Sequence, residues 1–166
     1  MSKILISGYY GFANAGDEAM LTAIIESLRQ VEKNVELTVL SGNPEDTAAK
    51  HQVCSVYRFN PLGIIRAMKD SELIISGGGS LLQDVTSKRS LLYYLSIIGL
   101  GKFFGKKVML FAQGIGPIRA KWARKLTSLV CNEADLITVR DSESAAELIE
   151  MGVKPEKITV TADSVL

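Results

Sequence analysis

Short runs of Ile, Val and Leu alternate along this chain with longer segments whose apolar residues recur every three or four positions. The runs predict strands over residues 3–7, 35–40, 53–57, 73–76, 107–112, 136–139 and 157–161. The periodic segments predict helices over 18–32, 61–69, 89–104, 118–132 and 142–151, the last closed by Gly152. Met20, Ile24, Ile25 and Leu28 mark the buried stripe of the first helix. Asn43-Pro44-Glu45-Asp46 reads as a turn that opens a further helix, with Pro44 at a favoured first position. Parallel strands need crossover connections, so this alternation predicts an α/β fold. It is a Rossmann-like parallel sheet of about seven strands with helices on both faces, forming a single domain over 1–166.

The first strand runs into a loop with Gly8, Gly11 and Gly16, and that loop hands over to a helix near Asp17-Glu18. Strand, glycine-rich turn and helix together make a ligand site at the carboxyl edge of a parallel sheet. The spacing fits neither G-x-G-x-x-G nor a P-loop, which needs Gly-Lys-Ser/Thr. Three other strand ends carry small and polar residues: Gly77-Gly78-Gly79-Ser80-Leu81-Leu82-Gln83-Asp84, Gln113-Gly114-Ile115-Gly116-Pro117 and Arg140-Asp141-Ser142. Glycine and proline turn a chain, but turns do not require Asn14, Asp17, Gln83, Gln113 and Arg140 at one edge. The four loops therefore define one candidate cleft. Its substrate-binding positions are Gly11, Asn14, Gly16, Gly78, Gly79, Ser80, Gln83, Gln113 and Gly114, and its catalytic candidates are Asp17 and Arg140.

Each candidate has a plainer alternative. Asp17 can accept a proton from a hydroxyl, or it can be the N-cap of the first helix. Arg140 can grip a carboxylate or phosphate with two parallel bonds, or pair with Asp141 or Glu143. Ser80 can cap the helix that follows it. Asn14, Gln83 and Gln113 suit sugar hydroxyls and an acetamide. Tyr9, Tyr10 and Phe12 can stack on a sugar face or pack the loop onto the first helix. His51 lies between a predicted helix and strand, and reads as a solvated surface residue away from the glycine edge.

Composition narrows the classes. With 47% hydrophobic and 22% charged residues, the chain is that of an ordinary globular domain. A formal charge of +1 gives no reason to expect nucleic acid or an anionic membrane as a general partner. The single histidine excludes an imidazole-built metal centre, and no metal is expected. Cys54 and Cys131 form no C-x-x-C pair and lie in apolar segments, so both are expected to be buried thiols. Residues 91–104 are the most hydrophobic stretch, but Ser96, Gly99, Gly101 and Lys102 interrupt it; a buried helix is expected, not a membrane span. The opening residues read as a strand, not a signal peptide, and a cytoplasmic location follows.

The motif set resembles one family, the polysaccharide pyruvyl transferases, and in particular bacterial enzymes that pyruvylate cell-wall polymers. The residues concerned are Gly8-Tyr9-Tyr10-Gly11, Asn14-Ala15-Gly16-Asp17-Glu18-Ala19, the Gly77 to Asp84 segment, Gln113-Gly114-Ile115-Gly116-Pro117, Arg140-Asp141-Ser142 and Thr161-Ala162-Asp163. The resemblance implies the amino-terminal half of a two-domain enzyme similar to GT-B glycosyltransferases. It implies transfer of the pyruvyl group of phosphoenolpyruvate to a sugar as a ketal, with phosphate released and no cofactor besides this co-substrate. The acceptor it implies is N-acetylmannosamine on a lipid-linked precursor, met at the inner face of the cell membrane. It also assigns an acidic histidine and further donor-holding basic residues to the second half, so the 166-residue chain alone is expected to be inactive. The closing Ala162-Asp163-Ser164-Val165-Leu166 reads as a connection onward to that carboxyl-terminal domain. Homo-oligomerisation is left open. Two other readings share the same alternation: a GT-B glycosyltransferase half using a nucleotide sugar, and a non-catalytic sugar- or nucleotide-binding module.

Overall fold

A computed structural model describes residues 2–77, 79–85 and 87–161. The chain alternates as β1 (Lys3–Ser7), α1 (Ala15–Val31), β2 (Glu36–Ser41), α2 (Pro44–His51), β3 (Cys54–Tyr57), α3 (Pro61–Asp70) and β4 (Leu73–Ser76). It continues through β5 (Gly79–Leu82), α4 (Lys88–Phe103), β6 (Lys107–Ile115), α5 (Lys121–Glu133), β7 (Leu136–Val139), α6 (Ser142–Met151), a short 3-10 turn (Pro155–Lys157) and β8 (Ile158–Val160). Asparagines start three of these helices. Asn14, Asn43 and Asn60 each accept a bond from a backbone N–H three residues on, and Pro44 and Pro61 follow the last two. Gln52 and Gly152 end α2 and α6 in the left-handed conformation, satisfying the need for a sharp stop.

The strands form one parallel sheet in the order β3-β2-β1-β4-β6-β7-β8, with β5 added alongside β6. Alternation along each strand divides the core between the two faces. Leu5, Leu40 and Ile74 join one buried cluster with Met68 of α3, Leu91, Leu95 and Ile98 of α4, Ala123 of α5 and Leu148 of α6. Ile4, Ile6, Leu37, Val39 and Ile75 join the other, against Leu21, Ile24 and Ile25 of α1. The expected doubly covered sheet is thus present. Helix α4 is buried through Leu91, Tyr94, Leu95, Ile97 and Ile98, as its apolar content requires. Chain order reverses between β1 and β4, so the carboxyl ends of these two strands flank the topological switch point.

The sheet differs from expectation at two places. The glycine segment after β4 does not lead directly into a helix. Leu81 and Leu82 are buried, which draws residues 79–82 alongside β6 as an eighth strand. Ser80 lies in that strand and caps nothing; Ser87 caps α4 by accepting from Ser90 N at 3.2 Å. Strand β6 also runs on to Ile115, past a bulge at Ala112. Ala112 takes φ 50°, and the Thr138 hydroxyl fills the bulge by accepting from Ala112 N at 2.7 Å. Among the described residues no helix is long and apolar enough to cross a membrane.

Candidate functional site

The β1–α1 loop is built around a buried ring. Tyr10 passes between Gly8 and Gly77: a Cβ at either glycine would collide with its ring or hydroxyl. This places the first loop against the end of β4 at the switch point. On its other side the loop presses on the β2–α2 turn. Gly11, at φ 85°, leaves no room for a Cβ beside Ser41 Oγ and Asn43 N, and Gly42 N donates to Tyr10 O at 2.9 Å. Glu18 closes the turn by accepting from Gly11 N at 3.4 Å and facing His51 Nε2 at 3.3 Å. His51 is therefore no solvated surface histidine. Its side chain is only 9% exposed and is tied through Glu18 to the glycine loop.

Asn14, not Asp17, caps α1: its Oδ1 accepts from Asp17 N at 3.2 Å. Asp17 stands in the first turn of the helix, and its carboxylate has no cap to make. It faces Gly79, where φ of 101° and a Cβ position only 3.3 Å from Asp17 Oδ1 both favour glycine. Burial, and then the neighbouring Glu18 charge, raise the Asp17 carboxyl above the usual carboxylate range. Asp17, Ser80 and Gln83 line one cleft of about 480 Å³ with Tyr9, Leu81, Ser87, Ser90 and Tyr94. The cleft thus offers a carboxylate, serine hydroxyls, an amide and the ring of Tyr9, groups that can donate and accept hydrogen bonds.

Beneath the cleft, Gln113 is 0% exposed and acts on the backbone. Its Nε2 donates to Ser76 O at 2.9 Å and to Gly77 O at 2.5 Å, fixing the end of β4 from β6. Its Oε1 has no partner among the described residues, nor do the buried hydroxyls of Ser7 and Tyr10. Asp84 ends the segment by accepting from Arg119 N and Ala120 N at 3.0 Å, which supplies the cap that Ala120 cannot give α5. These bonds, that from Ala120 first, hold the Asp84 carboxyl below its ordinary range.

Other expected site residues lie elsewhere on the edge. Arg140 packs on Gly114, where a Cβ would collide with its guanidinium, and its Nε is 3.6 Å from Asp141 Oδ2. It does not line the cleft of Asp17. Asp141 caps α6 by accepting from Ser144 N at 2.7 Å. Gly16 is exposed in the first turn of α1 with no crowding that demands glycine. Gly78 and the Ala162-Asp163 motif lie outside the described residues. Cys131 is buried as expected, but Cys54 is exposed, because β3 is an edge strand. Among the described residues no group of three or more His, Cys, Asp or Glu could hold a metal.

Sequence reading missed Tyr94 and Ser90 on α4, Ser87 at its cap, and Arg58 just after β3. Arg58 is 5% exposed and surrounded by rings. Its signal was its place: it ends a strand at the same carboxyl edge as the four loops already singled out.

The same open parallel α/β sheet, with strand ends gathered at a switch point, recurs in solved structures. Anabaena HepE in complex with UDP and glucose matches with a TM-score of 0.65 at 12% identity, over 98% of this chain and 44% of that one. UDP-GlcNAc 2-epimerase from Neisseria meningitidis bound to UDP-GlcNAc matches with a TM-score of 0.58 at 14% identity, over 99% and 47%. The lipopolysaccharide outer core galactosyltransferase WaaB, in its apo form, matches with a TM-score of 0.58 at 16% identity, over 96% and 45%. The chain spans less than half the length of each. No curated protein gives a significant match. A family model described as Polysaccharide pyruvyl transferase matches residues 14–166, and the chain belongs to that family.

Proposed function

We propose that this chain is the acceptor-holding half of a transferase that moves the pyruvyl group of phosphoenolpyruvate onto a sugar, with N-acetylmannosamine of a lipid-linked precursor as the acceptor. The observation that carries this reading is the position of Asp17: a carboxylate without a capping duty, facing Gly79 in a cleft of hydroxyls and amides. In the proposed reaction the enol methylene of phosphoenolpyruvate takes up a proton, and two sugar hydroxyls bond to the former enol carbon. The phosphate leaves with its bridging oxygen, and the two hydroxyl protons are released, so the products are a cyclic ketal and inorganic phosphate. In this reading Asp17 accepts one hydroxyl proton; the raised pKa of its carboxyl, which makes its ionised form a stronger base, supports that role. Ser80 and Gln83 hold neighbouring hydroxyls or the acetamide. Arg140 grips the donor carboxylate or phosphate from the far side of Gly114, towards the place where a second domain would close.

A histidine acid and further cations from the carboxyl-terminal domain would complete the site, and the isolated chain is then inactive. A lipid-linked acceptor would meet the enzyme at the inner membrane face. The test is phosphate release from phosphoenolpyruvate by the full-length protein, with and without an N-acetylmannosamine-terminated acceptor. Acceptor-dependent release supports the reading. Transfer from a UDP-sugar instead, with none from phosphoenolpyruvate, would replace it with glycosyl transfer.

A further inference from the structure

Among the described residues Arg58 is the one buried charged side chain, and the reaction above does not use it. It directly follows β3, it is 5% exposed, and no carboxylate pairs with it among the described residues. Five rings surround it instead. Its Cζ is 4.6 Å from the centroid of Tyr93, 4.8 Å from Phe59, 5.2 Å from Phe12, 5.7 Å from Tyr94 and 5.8 Å from Tyr9. A cation in such a cage is held by the ring quadrupoles in place of a counter-ion. The rings come from three separate segments: the β1–α1 loop, the β3–α3 turn and α4. Tyr9 and Phe12 stack on one another at 4.3 Å, and Tyr93 O–H donates to Arg58 O at 2.8 Å. Arg58 thereby ties together two walls of the cleft, since Tyr9 and Tyr94 both line it.

One bond gives this tie a chemical consequence. Arg58 Nη2 donates to Tyr94 Oη at 3.4 Å. Guanidinium has no acceptor atoms, so Tyr94 must accept there and its own proton points elsewhere. Burial pushes the Tyr94 phenol up to about 12, so it stays protonated at neutral pH. Its O–H is therefore available as a donor in the cleft that Asp17 also lines. A sugar hydroxyl is both donor and acceptor, and a carboxylate and a phenolic O–H lining one cleft can serve both functions.

We propose that Tyr94 is a substrate-binding residue for a sugar hydroxyl, and that Arg58 is its positioning residue, aiming the phenolic proton and fixing the Tyr9–Phe12 stack that walls the cleft. This rests on the acceptor reading given above, and the test separates the two. In the full-length protein, Tyr94→Phe and Arg58→Met should each raise the acceptor KM about tenfold, the worth of one or two hydrogen bonds. The kcat and the phosphoenolpyruvate KM should stay within about threefold of the wild type. Because Arg58 acts through Tyr94, the double variant should be no worse than the worse single one. Arg58→Lys keeps the charge, loses the planar fork and should fall between wild type and Arg58→Met. Hydrogen exchange at residues 9–12 should quicken in Arg58→Met relative to β1 and β4. Additive effects in the double variant, or a lowered Tm with an unchanged acceptor KM, would overturn the proposal. If the wild-type protein shows no transfer, the acceptor reading fails by itself. Exchange then decides the role of Arg58: unchanged exchange at 9–12 in Arg58→Met overturns it, and faster exchange confined to that loop upholds it.

Discussion

The guanidinium of Arg140 occupies the space that a Cβ on Gly114 would need, with Nε 2.6 Å and Nη2 2.7 Å from that position. The glycine and the arginine are thus one unit, although Gly114 lies in β6 and Arg140 follows β7. Gly114→Ala has to displace the arginine. Its contact with Asp141 is half-exposed, and such pairs contribute little to stability. Arg140→Ala should therefore leave Tm nearly unchanged while raising the phosphoenolpyruvate KM of the full-length enzyme about 10- to 100-fold, as loss of hydrogen bonds to a charged ligand would. Arg140→Lys should give a smaller rise, and Gly114→Ala should resemble Arg140→Ala. A fall in Tm with catalysis spared would make Arg140 a structural ion-pair partner.

Tyr10 and Gly77 give a prediction about packing. A Cβ at Gly77 would strike the Tyr10 hydroxyl, which is buried without a partner among the described residues. Gly77→Ala should destabilise the protein by about 1–3 kcal/mol in urea unfolding, the usual range for overpacking. Tyr10→Phe removes an unpaired polar atom and should be neutral or stabilising. Combined, Tyr10→Phe should recover part of the loss, because it vacates the contested space. Strict additivity would mean that the two positions do not compete.

Gln113 tests whether the site floor is structural. Its Nε2 bonds to the carbonyls of Ser76 and Gly77 lie in a fully buried place. Gln113→Leu should cost about 1–3 kcal/mol by leaving buried acceptors unpaired. Gln113→Glu should cost more at neutral pH, where a carboxylate would face carbonyl oxygens, and should recover as the pH falls. Equal stability of the two variants across pH would contradict this placement.

How much of this was legible in the sequence depends on the range of the forces involved. Strand runs and helical stripes are local, so the elements from β1 through β4, the buried α4 and the sheet's parallel character could all be read directly. The eighth strand could not, because three glycines hide a segment whose strand character comes from burying Leu81 and Leu82 beside β6. Asp17, Ser80 and Gln83 do share a cleft as strand-end logic requires, yet Gln113 turned inward to hold backbone carbonyls. That choice depends on the Ala112 bulge, which only the β6–β7 pairing reveals. Arg58 showed only its place at a strand end; its cage is assembled from three distant segments. His51 and Cys54 were misjudged because exposure depends on which helix or strand lies alongside, not on local polarity.

Asp84 supplies a pH prediction. Its carboxyl is held below the ordinary range by the N–H groups of Ala120 and Arg119, and that of Asp141 by Ser144. A depressed folded-state pKa stabilises the protein above the unfolded value and loses that contribution as pH falls through the folded one. Stability should therefore decline from about pH 4 downward, near the unfolded aspartate pKa. Asp84→Asn should lower stability at pH 7 and flatten this acid limb. A variant whose acid limb matches the wild type would show that the carboxylate does not hold α5.

The most direct test of the central claim is the pH dependence of acceptor-dependent phosphate release by full-length wild type and Asp17→Asn. If Asp17 takes a sugar proton, activity should rise with pH through a limb lying above the ordinary carboxylate value of about 4, because burial raises this group and only its ionised form is a base. Asp17→Asn keeps the size and hydrogen-bonding capacity of the side chain, and should lose at least about a hundredfold in kcat together with that limb. Full activity in Asp17→Asn, with the acid limb unchanged, would contradict the account.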